Sequence, residues 1–178
     1  MHLMLPGGPT QDEVMAVSLI KLSLQPEDNF LDIGCGTGKV GIKVSPFVKD
    51  VIGIDKREEA ITCALDAAKK AGVKNIKFVM ADAIQYLKNS GPVDSAFVGG
   101  TQGLPEILSM LVKKNVRSLV INVVKLNSLS TAVNELQKSG FFHEVIQVNI
   151  SRSYPIGDGI MFKPINPVFI IVGGRPQC

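Results

Sequence analysis

The chain has 178 residues, of which 46% are hydrophobic, 20% charged, 17 glycine and 10 proline, proportions of an ordinary globular domain that exclude disorder, collagen and coiled coil. At this length a folded chain buries roughly 70% of its unfolded surface, enough for one core and short for two, so residues 1–178 are read as a single domain. Nineteen Lys and Arg against sixteen Asp and Glu leave +3, without runs of like charge, and with no Trp, two Tyr and eight Phe the chain lacks the stacking platforms that nucleic-acid binding favours.

The three cysteines, Cys35, Cys63 and Cys178, are odd in number and show no metal-site or redox spacing, which fits a reduced setting and no metal site. No signal-peptide pattern and no apolar run near 20 residues occurs, so a cytoplasmic protein with no membrane partner is expected.

In chain order, a first helix spans about Asp12 to Leu24. Five strand-length apolar runs follow, Phe30 to Ile33, Val51 to Asp55, Ile76 to Met80, Val93 to Gly99 and Val116 to Val124, with helices between them. This alternation is the pattern of a parallel sheet with crossover helices. The helix after the second run is the clearest. Ala60, Ile61, Ala64, Leu65 and Ala68 recur at helical spacing, Glu58, Glu59, Lys69 and Lys70 mark the polar face, and Gly72 ends it. A last helix runs from Asn127 to Ser139 and closes at Gly140. Beyond it, Phe142 to Ser151 and Pro167 to Gly173 read as an antiparallel pair joined by a long loop, Arg152 to Asn166.

The strongest local motif is Asp32-Ile33-Gly34-Cys35-Gly36-Thr37-Gly38, after a strand and opening a helix. Glycines there let the chain turn sharply and let a ligand lie against backbone N–H groups. The run Gly36-x-Gly38-x-x-Gly41 also satisfies the dinucleotide-binding pattern, and Asp55, about 20 residues on, could accept from a ribose diol in either NAD or S-adenosylmethionine. Two further acids favour the latter: Asp32 before the loop, and Asp82 in Ala81-Asp82-Ala83, where a carboxylate can accept from an adenine amino group beside the next backbone N–H. Asp32 is read as a scaffold for loop amides, Asp82 also as a helix N-cap, and Cys35 as a small side chain with no chemistry, because no His stands near to activate it.

In motif order and over almost its whole length the chain resembles the class I S-adenosylmethionine-dependent methyltransferases. That resemblance implies a three-layer, Rossmann-like α/β fold with a mostly parallel seven-stranded sheet and a C-terminal antiparallel hairpin. Phe97-Val98-Gly99-Gly100-Thr101-Gln102-Gly103 lacks the Asn/Asp-Pro-Pro-aromatic pattern of amine methylation in nucleic acids, and no cysteine ends the fourth or fifth strand, as covalent attack on cytosine requires. More narrowly, Gly8-Pro9-Thr10-Gln11-Asp12-Glu13-Val14, Val98-Gly99-Gly100-Thr101, and Ile150-Ser151-Arg152 with Asn166-Pro167-Val168-Phe169 resemble the decarboxylating cobalt-precorrin methyltransferases of anaerobic cobalamin synthesis. Thr101-Gln102, where that family's pattern has Ser-Gly, and Ser153-Tyr154 after Arg152 depart from it.

The resemblance implies methylation of carbon 15 of an anionic cobalt-precorrin, decarboxylation of its ring C acetate, and a homotetramer. The cofactor would be S-adenosylmethionine, held by Thr10, Gln11, Gly34, Cys35, Gly36, Thr37, Gly38, Asp55, Lys56, Asp82, Ala83 and Gly99. The substrate would meet Gly100, Thr101, Arg152 and Lys163. Thr10 could alternatively cap the first helix, Gly99 and Gly100 could be only a tight turn, and Arg152 and Lys163 only solvated charges. No residue is assigned as catalytic, since methyl transfer to carbon needs alignment and desolvation more than a base. An RNA or tRNA methyltransferase and a non-catalytic S-adenosylmethionine-binding module are the alternatives.

Overall fold

The computed structural model describes residues 10–175. Its elements are α1 (Asp12–Leu22), β1 (Asn29–Ile33), α2 (Lys39–Val44), a 3-10 turn at Ser45–Phe47, β2 (Asp50–Asp55), α3 (Glu58–Ala71), β3 (Ile76–Met80), α4 (Ala83–Asn89), β4 (Ser95–Val98), α5 (Leu104–Lys113), β5 (Ser118–Val123), α6 (Leu126–Lys138), β6 (Phe142–Ile156) and β7 (Gly159–Gly173). The sheet runs β3-β2-β1-β4-β5-β7-β6. β1 to β5 pair in parallel, and β7 lies antiparallel to both β5 and β6.

Successive strand residues point to opposite faces, and both faces are covered, so the central strands read as continuous apolar runs. On one face Leu31, Ala96, Val98, Leu119 and Ile121 pack with α4, α5 and α6. On the other, Phe30, Phe97, Val120 and Ile170 pack with Val14, Met15 and Leu22 of α1 and Val40 and Val44 of α2. Ala64 and Ala68 of α3 sit against Phe78, which extends that layer toward β3. In α5, Leu104, Ile107, Leu108 and Leu111 are all buried, each contributing about 1.5–3 kcal/mol by leaving water. The three-layer α/β arrangement is the one the motif order implies.

Boundaries move by one or two residues. α1 stops at Leu22, because Ser23 takes a left-handed conformation with φ 45°, and β4 and β5 are shorter at both ends than their apolar runs. The larger correction lies at Arg152 to Asn166. This segment is no loop: β6 and β7 continue through it, pairing Arg152 with Lys163, Tyr154 with Met161 and Ile156 with Gly159. Gly157 and Asp158 make a two-residue turn with Gly157 at φ 57°, the turn that glycine at the first central position favours.

Ahead of Phe169 in the chain, β7 has β6 as its one strand neighbour, and residues 151–164 are all exposed, so no apolar alternation marks this arm in the sequence. Pro155 and Pro164 are tolerated there because each strand has an edge with no partner.

Candidate functional site

All the predicted cofactor elements meet at the C-terminal edge of the parallel strands, where open α/β sheets bind ligands. The glycine loop leaves β1 with Gly34 N and Cys35 N both donating to Ile54 O, at 2.8 and 3.0 Å, which bends the chain across the end of β2. Gly34 has φ 74°, and a Cβ there would stand 2.9 Å from Gly100 N. Glycine is therefore required for the β1 and β4 ends to approach each other. Beneath the loop the buried Asp32 accepts from Gly41 N at 3.0 Å, the scaffold role expected of it, while its Oδ1 has no partner.

Asp55 ends β2 and is 5% exposed. Its Oδ2 accepts from Gly36 N at 3.0 Å and from Arg57 Nη2 at 2.9 Å, and its Oδ1 accepts from Arg57 N at 3.1 Å and Nε at 2.9 Å. Burial pushes its pKa up, but the Arg57 bonds, the Gly36 N–H and the guanidinium charge outweigh that and hold the carboxyl below its ordinary value. Ala81 N donates to Asp55 O at 3.0 Å, which brings the β3 end alongside. There Asp82 caps α4, its Oδ1 accepting from Ile84 N at 3.0 Å and Gln85 N at 3.1 Å. Oδ2 has no partner among the described residues.

These groups line a cavity of about 340 Å³ that brings together Gly34, Asp55, Lys56, Asp82, Ala83 and Gly99, with Gly100 and Thr101 beside them. Lys56 Nζ donates to Gln102 Oε1 across its mouth. A second cavity, about 370 Å³, shares Gly99 and Thr101 with the first and lies between α1 and β7, with Thr10 and Gln11 on one side and Ile165, Asn166 and Val168 on the other. The segment ahead of α1 is fastened from two directions. Lys39 Nζ of α2 donates to Thr10 O at 2.7 Å and pairs with Asp12 at 2.8 Å, while Arg152 of β6 donates to Gln11 Oε1 at 3.1 Å and pairs with Glu13 Oε2 at 2.8 Å.

Six predicted residues, Cys35, Gly36, Thr37, Gly38, Arg152 and Lys163, are in neither lining; Gly36 N is instead bonded to Asp55 Oδ2. Cys35 is buried against Ala64, Ala68 and Phe78, where burial pushes its thiol pKa far up and leaves it inert. Arg152 is engaged with Glu13 and Gln11. Lys163 lies opposite Arg152 on the exposed arm. The helix-capping reading of Thr10 is not met: Gln11 is the N-cap, and no side chain caps α1. Gly8 and Pro9 lie outside the described residues.

The sequence reading missed Arg57, two residues past the ribose acid, and the group at and just past the end of β5, Asn122, Val124, Lys125 and Ser128, which lines the second cavity. Their position just past a central strand was the available signal.

Fold and site together define a class I S-adenosylmethionine-dependent methyltransferase fold. A family model described as the precorrin methyltransferase domain matches residues 6–173, and the chain belongs to that family. It is 42% identical over 174 residues, 95% of each chain, to a Methanosarcina acetivorans protein named "probable cobalt-precorrin-6B C(15)-methyltransferase (decarboxylating)". Among solved structures it is similar to a precorrin 8W decarboxylase of Methanobacterium thermoautotrophicum, with TM-score 0.88, 30% identity, and 94% of this chain and 92% of that one covered. A precorrin-6Y C5,15-methyltransferase from Geobacter metallireducens gives TM-score 0.87, 29% identity, and 98% and 93% coverage.

Proposed function

We propose that the chain methylates carbon 15 of a cobalt-precorrin and removes the carboxyl group of its ring C acetate. The observation that carries this reading is the pair of adjoining cavities, one lined by two acids suited to an adenosine and the other open to a larger molecule, meeting at Gly99 and Thr101. The first cavity fits S-adenosylmethionine: Asp82 keeps one oxygen free for a donor, and a ribose diol can take over the two side-chain bonds that Arg57 now makes to Asp55. When bound, that cofactor supplies a methyl group activated on a sulfonium.

The chain's own contribution is placement. Asp55 and Asp82 hold the adenosine, Thr10 and Gln11 close over its far end, and Gly99 and Gly100 present no side chain where a flat acceptor must come close. Among the described residues, neither cavity is lined by a histidine. The chain therefore aligns the acceptor carbon and excludes water, while the conjugated macrocycle takes up the electron pair released with carbon dioxide. Given an anaerobically prepared cobalt-precorrin-6B and S-adenosylmethionine, the protein should add one methyl group and release one carbon dioxide per macrocycle, read together by mass spectrometry of the product. Methylation of tRNA with an untouched tetrapyrrole would refute the substrate assignment.

The same reading includes a homotetramer built through the β6–β7 arms. Tyr154, Ile156, Ile160, Met161 and Phe162 are 41–69% exposed along the arm, more apolar surface than a free projection tolerates. Ile165 instead belongs to the second cavity. Light scattering should give a particle about four times the 19.1 kDa chain mass, and Ile160→Lys should lower it. A wild-type monomer at micromolar concentration would count against the arm as an interface.

A further inference from the structure

The cations around the two cavities are almost all engaged. Lys39 is paired with Asp12, Lys56 is bonded to Gln102, Arg57 to Asp55 and Arg152 to Glu13. Lys125 differs. It lines the second cavity as the N-cap residue of α6, it is exposed, and among the described residues its ammonium has no hydrogen-bond or ion-pair partner. Among the described residues it is the one charged residue in that lining, and α6 carries no acidic residue in its first turn, so no neighbouring carboxylate on that turn competes for it.

Its surroundings specify what the charge could meet. Val124, next to it in the chain and in the same lining, is 60% exposed, an apolar shelf beside a cation. The same lining carries Asn166 and Thr101, neutral hydrogen-bonding groups, and the apolar Ile165 and Val168. An apolar ring with acidic groups at its periphery satisfies all of these at once, the ring covering the shelf and a peripheral carboxylate reaching the ammonium. A polyphosphate or a free dicarboxylic acid would leave the shelf in water.

We propose that Lys125 is a specificity-determining residue of the second cavity, where it holds a peripheral carboxylate of a flat, polycarboxylated macrocycle lying against Val124. This rests on the reading of that cavity as the acceptor site. It names the residue that selects the acceptor by charge, a role that neither Arg152, committed to Glu13 and Gln11, nor Lys163, out on the arm, is placed to fill.

The test has two readouts on the full chain. Uroporphyrin I, a tetrapyrrole with eight carboxylates, serves as binding probe, followed by its fluorescence with S-adenosylhomocysteine present. Lys125→Gln should weaken porphyrin binding about tenfold, the order expected for one charge-assisted hydrogen bond. Lys125→Arg should keep most of it, and the S-adenosylhomocysteine affinity of both should stay at the wild-type value. Lys113→Gln removes the same charge at the C-terminal end of α5 and should bind like wild type. In turnover, Lys125→Gln should raise KM for the macrocycle far more than it lowers kcat.

Porphyrin binding unaffected by Lys125→Gln, weakened as much by Lys113→Gln, or absent from the wild type would overturn the proposal. Lys125-dependent porphyrin binding by a protein that neither methylates nor decarboxylates the precorrin would instead uphold Lys125 and refute the proposed reaction.

Discussion

Asp55→Ala should weaken binding of S-adenosylhomocysteine by about 1.5–3 kcal/mol, the cost of losing hydrogen bonds to a charged acceptor, which is roughly ten- to a hundredfold in Kd. The carboxylate sits at the end of β2, is 5% exposed, and is kept ionised by Arg57 and Gly36, so both oxygens are available as acceptors throughout the neutral range. Asp55→Asn keeps one carbonyl acceptor without the charge and should fall between. Because Asp55 also anchors Gly36 N, a thermal melt of each variant is needed to show that the glycine loop survives. Isothermal titration reads the affinity, and unchanged binding would remove Asp55 from the site. The same titration should give no response to NAD, since the second acid, Asp82, lies with Asp55 in a cavity of about 340 Å³ suited to one adenosine. Tight NAD binding without a response to S-adenosylhomocysteine would contradict the cofactor reading, whatever the glycine pattern matches.

The parts of the fold that could be read from sequence are those in which one strong physical requirement acts on a few adjacent residues. Both faces of the central strands β1, β4 and β5 are largely buried, so each reads as a mainly apolar run, whereas the edge strand β3 carries exposed Lys77 and Met80. The turn at Gly34 has φ 74° and must admit Gly100 N within 2.9 Å of where a Cβ would stand, so that position is glycine. Asp82 caps a helix, so it stands just ahead of a helical pattern. Where no such requirement acts, the sequence is mute: residues 149–156 of β6 are exposed or half-buried on both faces, and Pro155 there, with Pro164 on β7, argues for a loop. The turn Gly157-Asp158 was the legible clue to a hairpin.

The site divides the same way. Acids fixed by strand ends were identified by position, whereas the pairing of Arg152 with Glu13, 139 residues away in the chain, is set by tertiary approach alone. Lys125 carries no motif, and its meaning depends on which other cations are already engaged, which only the folded arrangement decides.

Asp32 should give the protein a stability that falls as pH rises from about 4 to 7, and Asp32→Asn should flatten that slope. The residue is 1% exposed, has one hydrogen bond, from Gly41 N at 3.0 Å, and leaves Oδ1 without a partner. Burial therefore dominates and, against the Gly41 bond and with the Asp55 charge adding to it, lifts the carboxyl to about 7. In the unfolded chain an aspartate titrates near 3.9. Between those values the folded state holds one proton more than the unfolded state, so unfolding becomes easier with rising pH across this window and levels off above it. Three units correspond to on the order of 4 kcal/mol, a large share of the stability of a chain this size. Asp12 and Asp55 are shifted the other way, so their contributions rise with pH but do so below about 4 and cannot mask the effect. Asparagine can still accept from Gly41 N and cannot ionise. Urea unfolding at half-unit steps from pH 4.5 to 8 reads the slope directly, and a wild-type stability that is level or rising over that range would show that Asp32 is ionised in the fold. The two acids near the glycine loop would then no longer divide their work as the burial implies, with Asp32 neutral beneath the loop as scaffold and Asp55 charged at its rim as acceptor.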